Sequence, residues 1–172
     1  QFVHLYVKDL SEGGTGQSFT DYGLFTQVEQ PNKTFLKNHW LDPSGYLYKA
    51  VEFEFFRYAD DLKNESDPAY DKAKFESRLE IRGREEHAKL LKMLDDLNDL
   101  SIPIDEVFER HFDLDNYLTW VAMNILMDNV DTKSQNFLLY SPLNSDKWYF
   151  LPWDYDGTWE WGDVPGERRG GP

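Results

Sequence analysis

Four residues near the C-terminal end of the chain carry side chains that could do chemistry together, namely Asp131, Lys133, Asn136 and Asp154. A carboxylate can orient and deprotonate an attacking hydroxyl group, a lysine can neutralise a moving phosphate, and amide and carboxylate oxygens can bind a divalent metal ion. Phosphoryl transfer requires this combination of groups. Asp156 follows closely, and it could be a second metal ligand or could cap the next turn.

A predicted β-hairpin connects these residues. Residues 136–140 and 147–151 are aromatic and aliphatic runs of strand length, and residues 141–146 between them are rich in turn-forming types. The two runs are therefore expected to pair antiparallel, with Tyr140 opposite Lys147.

That register predicts the geometry of the site. It places Asp154 level with Lys133 at the open end of the hairpin, about three residues, or roughly 10 Å, from Asn136. One divalent ion could draw Asn136 and Asp154 together over that distance. Asp131 lies on the incoming loop and is expected to face the same point.

The hexapeptide DTKSQN, which begins at Asp131, has the D-x-K-x-x-N spacing of a protein-kinase catalytic loop. Asp154 follows the hairpin, where kinases keep the metal-binding Asp of D-F-G. The sequence departs from ordinary kinases in having Asn129 and Val130 where His and Arg precede the base, and WDYD in place of D-F-G. Because that Arg reads activation-loop phosphorylation in ordinary kinases, such regulation is not expected here.

The runs NVDTKSQNFLLY and FLPWDYDGTW resemble the CotH kinase family of atypical protein kinases, as do DYGLFTQVEQPNKTFLK and GYLYK upstream. The resemblance extends from about Phe2 to Trp159. It implies an α+β, atypical protein-kinase-like fold in a single CotH-like kinase domain over residues 1–172. Within it, residues 1–58 would form part of a small β-rich N-terminal lobe, and residues 68–172 a mainly helical lobe with the catalytic hairpin.

The resemblance also implies roles for individual residues. Asp131 would be the catalytic base and Lys133 the cation beside the transferred phosphate. Asn136, Asp154 and Asp156 would bind the metal ion, which would be Mg²⁺ or Mn²⁺ accompanying ATP.

Lys49 lies in a predicted strand, residues 45–51, on the same face as Leu47 and Val51. A lysine on an apolar face is unusual, although a surface lysine at a strand edge could extend its ammonium group to solvent. By resemblance, Lys49 is the counterpart of the kinase lysine that holds the α and β phosphates. Glu29 is the first candidate for its carboxylate partner, ahead of Glu52 and Glu54.

The implied activity is metal-dependent transfer of the γ-phosphoryl group of ATP to Ser or Thr hydroxyls of a protein. A pseudokinase that binds nucleotide or a partner without turnover is a close rival, but retention of Lys49, Asp131, Asn136 and Asp154 argues against it. The family suggests the spore coat, cell envelope or cell surface as the location, which the residues themselves leave unknown.

A carbohydrate or cell-surface binding module is the alternative from another class, since Trp148, Trp153, Trp159 and Trp161 could stack on sugar rings. A glycosidase is less well supported, because nothing fixes two carboxylates at the required separation. A calcium loop is also weak, because the glycine of DYDG is at position four.

Composition restricts the remaining function classes. The 172 residues have a net charge of −14 and contain no cysteine, which argues against nucleic-acid binding and excludes disulfides and thiolate metal sites. No apolar run is long enough to span a bilayer. The start at Gln1 within a strand pattern and the GERRGGP end predict an excised part of a longer protein.

Local patterns predict the other elements. Residues 2–7 and 24–29 should form a hairpin around a Gly-rich interval, residues 13–16, which fails the G-x-G-x-x-G test for a phosphate loop. Helices are expected over residues 68–79 and 85–100, after Pro103, and from an Asp113 N-cap to about residue 127. The last helix should point five side chains inward: Leu114, Tyr117, Leu118, Val121 and Ile125. His87 and His111 are expected to be packing or surface residues.

Overall fold

The computed structural model describes residues 1–11, 16, 18–129 and 131–159. The chain divides into two compact units, Gln1–Gln30 and Pro31–Pro172. Both contain β-structure and the second also contains helices, so the predicted α+β class is confirmed. Within the described residues, no helix is long and apolar enough to cross a membrane.

The N-terminal unit is an antiparallel hairpin of β1 (Phe2–Val7) and β2 (Thr20–Thr26). Phe2 lies opposite Thr26, and the register shifts between Leu5 and Tyr6. The predicted hairpin is confirmed, although β2 begins four residues earlier than expected. Most of the Gly-rich interval, residues 13–15, lies outside the described residues. None of the described side chains of this unit is buried.

The second unit is built on one antiparallel sheet with the strand order β4-β3-β5-β6. Its strands are β3 (Tyr46–Ala50), β4 (Leu79–Ile81), β5 (Phe137–Ser141) and β6 (Tyr149–Pro152). The predicted strand around Lys49 is therefore confirmed as β3. It lies beside β5, in the same sheet as the hairpin, so the predicted lobe boundary between residues 58 and 68 does not separate two sheets.

In the described part of this unit the helices are α1 (Lys33–Asn38), α2 (Lys72–Glu76), α3 (Ala88–Asn98), α4 (Ile104–His111) and α5 (Leu114–Leu126). Asp113 caps α5 as predicted, since its side chain accepts a hydrogen bond from the Asn116 N–H group. The larger core cluster includes Tyr48, Phe137, Leu139 and residues of α3. On the other face of the sheet, a smaller cluster contains Leu36, Leu47, Leu138 and Tyr140.

The helix predicted over residues 68–79 is wrong in its extent. The Asp71 side chain accepts hydrogen bonds from the Ala73 and Lys74 N–H groups, so α2 begins at Lys72 rather than at Pro68. Leu79 belongs to β4 instead. Phe75 and Leu79 are nevertheless both buried, which explains why their spacing of four residues suggested one helical face.

The face of α5 that was predicted to point inward is also partly wrong. Leu114, Leu118 and Ile125 are 52%, 53% and 63% exposed. The packed face carries Tyr117, as predicted, and Trp120, which was not predicted; their rings lie 5.3 and 4.8 Å from the Phe150 ring on β6. Because α5 has apolar residues almost all around, their spacing alone does not select the buried face.

Both histidines singled out in the sequence are packing residues, as expected. His87 is fully buried, stacks on Phe75 at 4.1 Å and contacts the Tyr48 hydroxyl through Nδ1 at 2.9 Å. His111 is buried against Asp96, with 2.7 Å between Nε2 and Oδ2. Among the described residues, no group of three or more His, Cys, Asp or Glu side chains could hold a metal ion.

Candidate active site

The hairpin of β5 and β6 forms as predicted, but with a register that differs by two residues. Tyr140 lies opposite Tyr149 instead of Lys147, and Phe137 lies opposite Pro152. The reason is that Trp148 is already bound elsewhere: its N–H group donates to the His111 carbonyl at 2.7 Å, and its side chain is buried. Strand pairing therefore starts at Tyr149, one residue after Trp148 and two residues after Lys147, where the prediction had it begin.

The observed register predicts that the two candidate metal ligands lie closer than expected. Its last pair is Phe137 with Pro152, and continuing it by two residues would put Trp153 level with Asn136 and Asp154 one residue beyond Asn136, rather than three. Because side chains alternate between the two faces of a sheet, a shift of two residues leaves each side chain on the face predicted for it. Asn136 and Asp154 both have left-handed backbones, with φ of 58° and 55°. Asn and Asp tolerate this conformation better than most residues, and such strain concentrates at functional sites.

Asp131 is half-buried and is fixed by two side-chain amides. Gln135 Nε2 donates to Asp131 Oδ1 at 2.6 Å, and Asn136 Nδ2 donates to Asp131 Oδ2 at 2.7 Å. Since the Asn136 nitrogen faces Asp131, its Oδ1 oxygen is the atom left for a metal ion. The structure thus joins the candidate base and one candidate metal ligand directly.

The loop that carries Asp131 is attached to its surroundings at several points. The Phe53 N–H group, which follows β3, donates to the Ser134 carbonyl at 2.8 Å. The Asp131 N–H group donates to Asn129 Oδ1 at 3.4 Å, and Asn129 Nδ2 donates to Asn124 Oδ1 on α5 at 2.9 Å. The loop is therefore held by both the sheet and the preceding helix.

The turn after Asp154 packs against the same loop. Tyr155–Gly157 form one turn of 3₁₀ helix, and a Cβ atom at Gly157 would lie 3.3 Å from Asp131 Cβ. The Trp159 N–H group then donates to the Met127 carbonyl at the end of α5, at 2.9 Å. Burial raises the pKa of the Tyr155 phenol, an effect that a hydrogen bond with Asn124 opposes.

Asp154, Asp156 and Lys133 are all exposed. An exposed carboxylate remains accessible to a metal ion and to solvent. The candidate metal ligands Asn136, Asp154 and Asp156 would all bind the ion through side-chain oxygens. Mg²⁺ and Mn²⁺ prefer such donors, and Mg²⁺ is commonly held by one or two carboxylates together with substrate phosphates. The residues present therefore fit a metal–nucleotide complex.

Lys49 is partly exposed, and it lies in β3, next to the strand that Asn136 precedes. It pairs with Leu138 on β5, and Leu138 pairs with Leu151 on β6. Opposite residues in an antiparallel sheet share a face, so Lys49 is on the face of the smaller core cluster. Leu138 is two residues from Asn136, which corresponds to roughly 7 Å along the strand.

The carboxylate partner of Lys49 stays a prediction. Glu29 follows β2 in the N-terminal unit, whereas Lys49 lies in the second unit. Glu52 is paired with Arg78 at 3.1 Å, which leaves it a poor candidate. Glu54 is exposed. Glu80 was missed, although it lies directly opposite Lys49 on β4; it also forms an ion pair with Arg82.

Sequence reasoning missed four other residues of the site: Asn124, Asn129, Gln135 and Gly157. Gln135 occupies an unspecified position of D-x-K-x-x-N, so that motif gives no reason to select it. Asn129 had a usable signal, since it stands where ordinary kinases have His. Asn124 gave a weaker one, as an amide within an otherwise apolar stretch of α5.

Comparison with known proteins identifies what the sequence is similar to. A family profile described as CotH kinase protein matches residues 1–169. The chain is also similar to inner spore coat protein H of Bacillus subtilis (strain 168), with 28% identity over 149 residues, which cover 85% of this chain and 40% of that protein. It thus spans less than half the length of this curated relative. Because the family profile covers nearly the whole sequence, the chain belongs to the CotH kinase protein family.

Proposed function

We propose that this chain is a metal-dependent kinase that transfers the γ-phosphoryl group of ATP to Ser or Thr hydroxyls of a protein. The observation that carries the proposal is the hydrogen bond between Asp131 and Asn136. The register of the hairpin supports it, because its continuation would put Asp154 one residue beyond Asn136. In this proposal a base lies beside two metal ligands, as phosphoryl transfer requires.

Each residue has a defined task in this proposal. Asp131 orients the attacking hydroxyl and accepts its proton while the hydroxyl oxygen bonds to the γ-phosphorus. The bond from phosphorus to the β–γ bridging oxygen breaks, and ADP leaves. Lys133 lies beside the transferred group, and Lys49 holds the α and β phosphates, with Glu29 as the proposed orienting partner.

The metal ion would be held by Asn136 Oδ1, Asp154 and Asp156. When bound, Mg²⁺ or Mn²⁺ would neutralise phosphate charge. The chain itself has 32 acidic and 18 basic residues. This surplus of negative charge repels ATP, so a local cation is needed for the nucleotide to bind.

Transfer of radiolabelled γ-phosphate to a protein acceptor tests the proposal. Asp131→Asn should leave nucleotide binding nearly intact while transfer falls about 10² to 10⁴-fold, the range for loss of a general base. Asp154→Asn should weaken Mg²⁺-dependent nucleotide binding, and Lys49→Ala should impair both binding and turnover. Glu109→Gln, a neutralised exposed carboxylate on α4, is the matched control. Equal activity of the three site variants would refute the assignment.

The pseudokinase and the carbohydrate or cell-surface module are the competing functions. A pseudokinase would bind Mg²⁺ and nucleotide without transferring phosphate. The carbohydrate module has lost support, because Trp148 is fully buried and Trp153 packs against the smaller core cluster. Trp159 is 74% exposed and is still available as a stacking surface, whereas Trp161 lies outside the described residues.

The location of the protein is a further part of the proposal. The relative from Bacillus subtilis is described as an inner spore coat protein. We propose the spore coat as the place where this chain acts, with a protein bearing Ser or Thr acceptors as its substrate. Immunogold labelling of sectioned spores of the source organism would test this location.

A further inference from the structure

We propose that Asn129 is a positioning residue that sets the distance between the base Asp131 and the turn carrying Asp154 and Asp156. The inference rests on the proposed function. Asn129 is only 1% exposed, so its side chain makes its contacts inside the protein rather than with solvent. Its side chain accepts a hydrogen bond from the Asp131 N–H group at 3.4 Å.

The other end of the Asn129 side chain is anchored to α5. Asn129 Nδ2 donates to Asn124 Oδ1 at 2.9 Å, and the Asn129 N–H group donates to the Asn124 carbonyl, also at 2.9 Å. Asn124 is itself 6% exposed, and its Nδ2 atom donates to the Trp120 carbonyl at 2.8 Å. Removing the partner of a buried amide lowers the stability of the protein. These hydrogen bonds therefore hold Asp131 and the helix together as one unit.

Asn129 also lies against the turn on the metal side. Its Oδ1 atom is 3.7 Å from the position of a Cβ atom at Gly157, and that position is 3.3 Å from Asp131 Cβ. One buried side chain thus lies between the end of α5, the catalytic loop and the turn that follows Asp154. Displacing it should alter the spacing of base and metal ligands, because each segment uses it as a support.

This arrangement predicts a specific kinetic effect. Misplacement of a catalytic group by about 1 Å can reduce turnover about 10²-fold. In the proposed function, binding of the metal–nucleotide complex depends on Asn136, Asp154, Asp156 and Lys49, and Asn129 is hydrogen-bonded instead to Asn124 and Asp131. Loss of Asn129 should therefore reduce kcat much more than nucleotide affinity.

Asn116 provides a matched control on the same helix. It also joins α5 to the hairpin, since Nδ2 donates to the Phe150 carbonyl at 3.1 Å and Oδ1 accepts from the Phe150 N–H group at 2.7 Å. It is eight residues from Asn124, or roughly 12 Å along the helix axis. Its removal should destabilise the fold without moving Asp131.

The experiment compares Asn129→Ala, Asn124→Ala and Asn116→Ala in the 172-residue chain. We measure kcat, the Kd for ATP with Mg²⁺, the Tm, and hydrogen exchange at the Asp131 amide by NMR. In the first two variants, kcat should fall at least about tenfold and Asp131 exchange should accelerate about tenfold, with Kd within about threefold. Asn116→Ala should lower Tm but leave kcat and Asp131 exchange within about twofold.

The outcomes separate this inference from the proposed function. If the unmodified chain transfers phosphate but Asn129→Ala matches it in kcat and Asp131 exchange, positioning by Asn129 is refuted and the kinase assignment stands. Comparable kcat losses in the Asn116 and Asn129 variants would also refute it. If the unmodified chain transfers no phosphate, the kinase assignment fails, and Asp131 exchange alone decides whether Asn129 holds the loop. If Asn129→Ala does not fold, the kcat and the Asp131 exchange of Asn124→Ala decide instead.

Discussion

Gly157 is the residue at which the two halves of the candidate active site come closest. It is buried, and a Cβ atom there would be 3.3 Å from Asp131 Cβ and 3.7 Å from Asn129 Oδ1. Glycine lets the turn after Asp154 approach the catalytic loop, because it has no side chain to occupy that space. Its role is to let the turn pack closely against the Asp131 and Asn129 side chains.

Gly157→Ala should therefore separate Asp131 from Asp154 by a small distance. The added methyl group must displace the loop or the turn by a few tenths of an ångström, so we expect kcat to fall about tenfold. Single-turnover assays at saturating ATP and Mg²⁺ measure the chemical step directly. An unchanged rate in Gly157→Ala would show that the turn and loop do not need this contact.

At this scale, the sequence identified two candidate residues that are in contact, but it did not predict the register between the strands. D-x-K-x-x-N selected Asp131 and Asn136, which the structure joins by a hydrogen bond. The register was wrong because it depends on Trp148, whose backbone bonds to His111 from a distant part of the chain. No local pattern around residues 141–148 contains that information. The supporting amides, Asn124 and Asn129, were missed for a different reason, since neither is a specified position of D-x-K-x-x-N.

The orientation of α5 is the main question at the scale of elements. Leu118 is half exposed, whereas Trp120 packs on Phe150 and Phe137 of the hairpin. The helix LDNYLTWVAMNIL contains one charged residue, so the hydrophobic pattern left its rotation undetermined. Asn116 and Asn124 mark the packed side. The Asn116 amide donates to the Phe150 carbonyl of the hairpin, and the Asn124 amide donates to the Trp120 carbonyl.

Leu118→Gln and Trp120→Ala test this orientation. Leu118→Gln should change the free energy of unfolding by no more than about 0.5 kcal/mol, as is usual for surface substitutions. Trp120→Ala should cost about 3 kcal/mol or more, because it removes a large ring from the core. Urea unfolding followed by circular dichroism measures both values. A larger loss for Leu118→Gln than for Trp120→Ala would mean that α5 packs through the opposite face.

His87, which precedes α3, should make stability depend on pH. Burial lowers the pKa of His87 below its ordinary value of 6.5, although Glu65, Glu86 and Glu85 act in the opposite direction. The unfolded chain therefore binds a proton at a higher pH than the folded chain. Stability is fully present above pH 6.5 and declines as pH falls below it, until the folded pKa is reached.

Replacing His87 isolates this effect. His87→Gln should reduce the slope of unfolding free energy against pH between pH 7 and 5, even if it lowers stability at every pH by disturbing the stack on Phe75. Chemical unfolding at several pH values gives that slope. His4→Gln is the control, since His4 is exposed in the N-terminal hairpin. Identical slopes for His87→Gln and the unmodified chain would assign the pH dependence to other groups.

For the whole molecule, the two units contribute differently to stability. Both core clusters consist of residues from Phe35 onward, and none of the described residues of Gln1–Gln30 is buried. The sequence predicted the hairpins and most helices because each depends on local alternation, capping or periodicity. It did not predict that β3 joins β5, since that pairing links residues about ninety positions apart.

Net charge makes ligand binding a test of the whole assignment. At −14, the molecule should bind ATP only when a divalent cation offsets phosphate repulsion. Mg²⁺ and ATP together, at about 100 times the Kd, should stabilise the fold by about 2.7 kcal/mol, which corresponds to a rise in Tm of about 5–10 °C. ATP with EDTA should produce little change, and Asp154→Asn should lose the shift. A rise in Tm with soluble glycans, and none with Mg²⁺ and ATP, would instead support the carbohydrate module.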